Sequence, residues 1–102
     1  MDESFIAERL SKLRNLKGIS ARDMSLSIGQ SPDYINKIEN GRLIPSMSVF
    51  FNICDFFKIT PKDFFDEDNK NPKLMNQITE CLMEFDNDTL ELLSELLLKL
   101  RK

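Results

Sequence analysis

The sequence predicts an all-α fold, five short helices followed by two more, and three observations predict it. Apolar residues recur at helical spacing through most of the chain. Polar capping residues, several of them followed by proline, open segment after segment. The three glycines, Gly18, Gly29 and Gly41, each stand where an apolar-periodic run stops.

The first helix runs through residues 4–17, with Ile6, Leu10, Leu13 and Leu16 or Lys17 on one stripe and Arg9, Lys12 and Arg14 interleaved. Gly18 ends it. Ser20, Ala21, Arg22 and Asp23 have capping-box spacing, a hydroxyl for the third amide and a carboxylate for the cap amide. They open a second helix that carries Met24 and Ile28 inward and ends at Gly29, where a Cβ would strain the turn. Ser31, Pro32 and Asp33 start a third, with the cap hydroxyl at Ser31, proline at the first helical position, and Ile35 and Ile38 on the buried face. Asn40 and Gly41 close it. Pro45 and Ser46 open a fourth helix whose Val49, Phe50, Ile53, Cys54 and Phe57 fall at helical spacing. Thr60, Pro61, Lys62 and Asp63 repeat the cap, proline and acid pattern and, with Phe64 and Phe65, make a short fifth helix.

Residues 66–71 are polar and acidic without apolar periodicity, which is linker composition. Asn71 and Pro72 open a sixth helix bearing Leu74, Ile78, Leu82 and Phe85, and Asp86 or Asp88 caps a seventh. Seven leucines occupy residues 89–102, at 90, 92, 93, 96, 97, 98 and 100. One side of a helix cannot hide that much apolar surface on a small neighbour. Either both tail helices complete the core of one chain, or the tail meets a second chain; self-association through Leu90, Leu93, Leu97 and Leu100 is the expectation.

At 102 residues the chain has the length of one domain on a scale of about 100–200 residues. Its 41% apolar and 30% charged residues are too hydrophobic for disorder and too interrupted by charge for membrane insertion. Residues 1–66 hold nine basic and nine acidic side chains, and residues 67–102 hold five against eight, so the net charge of −3 belongs to the tail. The opening residues have no basic stretch leading into an apolar one, so a cytoplasmic location is expected. Histidine is absent, and the thiols of Cys54 and Cys81 stand 27 residues apart in apolar segments, so both are expected to be buried and reduced. No metal, cofactor or catalytic residue is expected. There is no glycine-rich phosphate loop, and the carboxylates sit at caps or on solvated faces; Asp86 and Asp88 are capping acids rather than a metal pair.

A helix, a glycine turn and a second helix form the helix-turn-helix arrangement, in which the second helix enters the major groove of DNA. Residues 9–65 resemble the phage-repressor and Cro-like helix-turn-helix family, the XRE family. The resemblance rests on Leu13-Arg14, Gly18-Ile19-Ser20, Gly29, Tyr34-Ile35, Ile38-Glu39-Asn40-Gly41-Arg42, Pro45-Ser46 and Phe64-Phe65, in that order. It implies a helix-turn-helix DNA-binding domain over residues 1–66; composition adds a linker at 67–72, and the leucine-rich tail a helical dimerisation segment at 73–102. It further implies a small residue at Ser25, where two helix axes approach, and an ion pair between Arg14 and Glu39 that joins the first helix to the end of the recognition helix.

With Ile35 and Ile38 committed to the core, base reading falls to Ser31, Pro32, Asp33, Asn36 and Lys37. Lys37 suits the O6 and N7 acceptors of guanine, and Asn36 suits adenine or a phosphate. Asp33 either accepts from cytosine N4 or is a plain first-turn acid favoured by the helix dipole. Phosphate contacts are expected from Ser20, Ala21, Arg22, Tyr34, Asn40 and Arg42, with Tyr34 alternatively packing on the turn. Ala21 stands where the family commonly has a phosphate-bonding Gln, Pro32 removes a side-chain donor, and apolar Leu26 marks either a tail contact or a small interaction surface. The expected function is a sequence-specific transcriptional regulator that binds double-stranded DNA as a homodimer. The alternative is an antirepressor or antitoxin-like module that captures a protein partner through its C-terminal helices and binds DNA weakly or not at all.

Overall fold

Six of the seven helices among the described residues start at a side chain that accepts a hydrogen bond from one of their own first-turn amides. These are α1 (Glu3–Lys17) from Asp2, α2 (Ala21–Ser27) from Ser20, α4 (Met47–Phe57) from Ser46, α5 (Pro61–Phe65) from Thr60, α6 (Pro72–Met83) from Asn71 and α7 (Asn87–Leu100) from Asp86. The exception is α3 (Tyr34–Glu39), which has no local side-chain cap. The computed structural model describes residues 2–68 and 70–101; Met1, Asn69 and Lys102, which fall in the expected head, linker and tail, lie outside the described residues. No strand occurs among the described residues, so the fold is all-α.

Several local expectations need correction. Ser31 does not cap α3, which begins three residues later. Its carbonyl accepts from the Tyr34 amide at 3.0 Å, making residues 31–34 a turn with Pro32 inside it, and its hydroxyl donates to Asp33 Oδ1 at 2.9 Å. At α2 the Ser20 hydroxyl accepts from the Asp23 amide, the serine half of the box; Thr60 and Asp63 at α5 form both halves. α4 ends at Lys58, a non-glycine residue in the left-handed region at φ 58°, where the Ile59 amide returns to the Cys54 carbonyl at 3.0 Å. α6 starts at Pro72, inside the expected linker.

The core is drawn from α1 to α5. Leu10, Leu13, Met24, Ile35, Ile38, Phe50, Ile53, Cys54, Phe57, Ile59 and Phe64 form one buried cluster, and complete burial of such side chains contributes about 1.5–3 kcal/mol each. Phe50 meets Phe64 edge-on with ring centres 5.0 Å apart, and Phe65 stacks on Phe5 at 5.9 Å. Cys54 is buried, and desolvation, with Asp55 and Asp63 nearby, pushes its thiol up to about 11. Cys81, expected in the core, is exposed because α6 has little to cover it.

Arg9, read from periodicity as part of a polar face, is buried at 5% exposure. Its Nε donates to the Phe64 carbonyl at 2.7 Å and its Nη2 to the Asp63 carbonyl at 2.8 Å, so a cation closes the C-terminal end of α5. Burial pushes its pKa down, opposed by Asp66, Asp63 and Glu67; an arginine stays charged regardless.

The tail touches this core at its first turn. Pro72 is buried beside Leu13, Leu16, Phe57 and Ile59, and Asn76 donates from Nδ2 to Asp63 Oδ2 at 3.0 Å. α7 contributes no buried residue, so the reading in which both tail helices complete one chain's core fails. The radius of gyration is 16.8 Å and the extents are 50 × 26 × 23 Å, against about 13 Å for a compact chain of this length.

Candidate nucleic-acid interface

The turn between α2 and α3 depends on a backbone that few residues adopt. Gly29 sits at φ 77°, and the amides of Gly29 and Gln30 return to the carbonyls of Leu26 and Ser25 at 3.1 and 2.9 Å. A Cβ on Gly29 would meet no neighbouring atom within 4 Å, so conformation, and not crowding, selects glycine here.

Ser25 then does what a local cap does elsewhere. Fully buried, its Oγ accepts from the Ile35 amide at 3.0 Å while donating to the Ala21 carbonyl at 2.7 Å. An otherwise orphaned first-turn amide of α3 is thereby satisfied from α2, ten residues upstream. Sequence reasoning assigned Ser25 only a small volume; the hydrogen bond was missed because no local spacing rule connects residues 25 and 35.

The other end of α3 is held by charge. Arg14 Nε lies 2.7 Å from Glu39 Oε2 and Nη2 lies 3.0 Å from Glu39 Oε1, a two-pronged pair, while Nη1 donates to the Ile19 carbonyl at 2.9 Å. Both side chains are mostly buried, at 17% and 12% exposure. The bond to Glu39 raises the arginine pKa above its ordinary value, against desolvation. Such a pair orients α3 relative to α1 more than it stabilises the chain, since desolvation offsets most of the attraction.

These two attachments leave the outer side of α3 free. Ser31, Pro32, Asp33, Asn36 and Lys37 are all exposed, whereas Ile35 and Ile38 are buried. Lys37 Nζ sits 3.1 Å from Asp33 Oδ2, with side-chain exposures of 50% and 58%. Hydrogen bonds from Lys37 and then Ser31 hold the Asp33 carboxyl below its ordinary pKa. An exposed pair at this spacing is worth only about 0.3–0.5 kcal/mol, so Lys37 exchanges partners readily. The i, i+4 spacing of Asp33 and Lys37 was the available signal for it.

Around that surface, Ser20, Arg22, Asn40 and Arg42 are exposed. The Arg42 amide bonds the Lys37 carbonyl at 2.9 Å, across Gly41 at φ 74°, which fixes where the guanidinium leaves the end of α3. Ala21 and Tyr34 are half-buried and pack against the core. Burial raises the phenol pKa of Tyr34.

Residues 10–64 match the helix-turn-helix family profile, more than half of the chain. The chain belongs to the helix-turn-helix family. It is of the XRE type, and the matched stretch runs from α1 into α5, covering both attachments of α3. A curated relative, the HTH-type transcriptional regulator RamB from two strains of Mycobacterium tuberculosis, is 25% identical over 88 residues, 86% of this chain. The chain spans 18% of the length of that relative. No solved structure matches the chain. No helix among the described residues is long and apolar enough to cross a membrane.

Proposed function

We propose that the chain is a sequence-specific DNA-binding transcriptional regulator that acts as a dimer on an operator. The observation that carries this reading is the fixing of α3 at both ends, by Ser25 and by the Arg14–Glu39 pair, with its outer side chains left exposed. Residues 1–66 serve as the DNA-binding domain and 67–72 as the linker. Residues 73–102 serve for dimerisation, with Leu90, Leu93, Leu97 and Leu100 among the contacts. Lys37 and Asn36 read base edges, Asp33 and Ser31 set the donor and acceptor pattern beside them, and Pro32 shapes the turn. Ser20, Arg22, Asn40 and Arg42 hold phosphates, as do the backbone at Ala21 and the Tyr34 hydroxyl.

The head is electrically neutral, so its grip is limited. With about four to six phosphate contacts per dimer the salt dependence is modest, and useful affinity needs both half-sites engaged together.

The test is selection of random genomic fragments by the purified chain at physiological salt, with Lys37→Ala alongside. A paired motif enriched by the parent chain and lost in the variant is expected, with a loss of about 1–3 kcal/mol in specific binding. A second reading, a protein-capture module, is favoured by half-exposed Leu26 and by the carboxylate that neutralises Lys37. Absence of enrichment by either protein would select it.

A further inference from the structure

Each tail helix is charged oppositely at its two ends. Between residues 80 and 95 the sequence carries Glu80, Glu84, Asp86, Asp88, Glu91 and Glu95 and no lysine or arginine. These acids surround the turn that joins the helices and continue past the middle of α7. Lys73 stands at the far end of α6 and Lys99 and Arg101 at the far end of α7, with no acid between residues 70 and 79 or after residue 95.

The same helices leave apolar stripes uncovered. On α7, Leu92, Leu96 and Leu100 recur every four residues and are exposed at 68%, 52% and 68%. Leu90 and Leu93 are the least exposed leucines of α7 and share a cleft with Leu82 of α6. On α6, Leu74 and Ile78 form a second open stripe, with Phe85 just past its end. A contiguous apolar surface of this kind marks an interface.

We infer that its occupant is a second copy of the same tail, its α7 paired antiparallel about a two-fold axis that passes beside Leu96. Leu96 then meets Leu96 of the partner subunit, Leu92 meets Leu100 of the partner subunit, and on the polar flank Glu95 comes beside Lys99 of the partner subunit. The inference rests on the dimeric reading above and adds the partner and its direction.

Two physical arguments choose this direction. Antiparallel pairing lays the acidic start of one α7, with Asp86, Asp88 and Glu91, against the basic end of the other, with Lys99 and Arg101, whereas parallel pairing stacks like charges at both ends. The flanks of α7 point the same way. Leu93 and Leu97 lie on one side of the Leu92–Leu96–Leu100 stripe, and Asp88, Glu95 and Lys99 lie on the other. A two-fold axis perpendicular to the helices sets leucine flank on leucine flank and polar flank on polar flank; a parallel pair sets charges on leucines. The starts of the two α7 helices then lie at opposite ends of a seam about 21 Å long.

The test uses the full chain with Cys81→Ser, Cys54 being buried, and adds one cysteine at a time as Leu92→Cys, Leu96→Cys or Leu100→Cys. Mild oxidation without DNA is expected to join Leu96→Cys chains to one another. Leu92→Cys chains, whose thiols lie about 12 Å apart along the axis, are expected not to link among themselves but to link with Leu100→Cys chains when the two are mixed. Leu92→Cys chains linking to one another would establish parallel pairing and overturn the inference, as would the absence of any link in all three. Because a new cysteine can weaken the seam itself, a charge variant provides an independent check. Glu95→Lys is expected to weaken self-association about tenfold at low salt, and adding Lys99→Glu to restore it; no change on Glu95→Lys would also overturn the pairing. Loss of DNA binding in Lys37→Ala with the links intact separates failure of the regulator reading from failure of this one.

Discussion

α3 has six residues and α7 has fourteen, seven of them leucine, yet α3 buries two isoleucines and α7 buries nothing completely. Amphipathic pattern says which face a helix would hide, while the number of neighbours decides whether it does. In the head, five helices surround one cluster and each supplies a wall for the others. In the tail, α6 meets the head through Pro72 and Asn76 and α7 buries no residue, so each helix has a face left over. A six-residue helix is too short to persist alone, and α3 exists because Ser25, Glu39 and the core hold it. That dependence frees its outer side chains for function, whereas the outer leucines of the tail are available for another chain.

The largest expected effect tests that contrast directly. Phe64→Ala empties a fully packed site and is expected to cost about 3–5 kcal/mol, read from chemical-denaturant unfolding. Leu98→Ala, in the half-exposed tail, is expected to stay within about 0.5 kcal/mol. Comparable losses at the two positions would mean that the tail is as much a part of the core as the head.

Next in size is Ser25→Ala, which leaves the buried Ile35 amide without its acceptor and is expected to cost about 1–3 kcal/mol. Amide hydrogen exchange should accelerate at Ile35 and through α3 before it does so in α4. Uniform acceleration would show that α3 is held by the core alone.

The smallest effect concerns the contact between head and tail. Burial pushes the Asp63 carboxyl up, but the hydrogen bonds from Asn76 and Thr60, aided by Lys62, outweigh it and leave the pKa below its ordinary value. The ionised form is therefore favoured by folding. Its contribution is complete above the unfolded value of about 3.9 and is lost as pH falls through the depressed folded value. Asp63→Asn is expected to lower stability at neutral pH by less than about 1 kcal/mol and to change it little below the depressed folded value, which flattens the acid limb. An unaltered acid limb would show that Asn76 does not hold the tail through this carboxylate.

Much of the fold was legible because helix starts are written within four residues. Ser20, Ser46, Thr60, Asn71 and Asp86 cap the helices that the sequence assigns them. Ser31 misled because Ser-Pro-Asp serves a turn as well as a helix start, and the choice depended on where α2 released the chain. The exposed side chains of residues 31–33, 36 and 37 were legible by subtraction, once Ile35 and Ile38 were assigned inward. The Arg14–Glu39 contact came from family resemblance, since 25 residues separate the partners and charge alone pairs neither with the other.

By itself, then, the sequence determined where the helices other than α3 begin, which faces are apolar, and that the acidity lies in the tail, all through interactions between residues close in the chain. Only the tertiary structure decided that Arg9 turns inward to the carbonyls of Asp63 and Phe64, that Ser25 caps a helix other than its own, and that Cys81 and the α7 leucines stay at the surface. Local pattern sends an arginine outward and a leucine inward. Whether either goes there depends on which unpaired carbonyls and which apolar neighbours the rest of the chain brings to it.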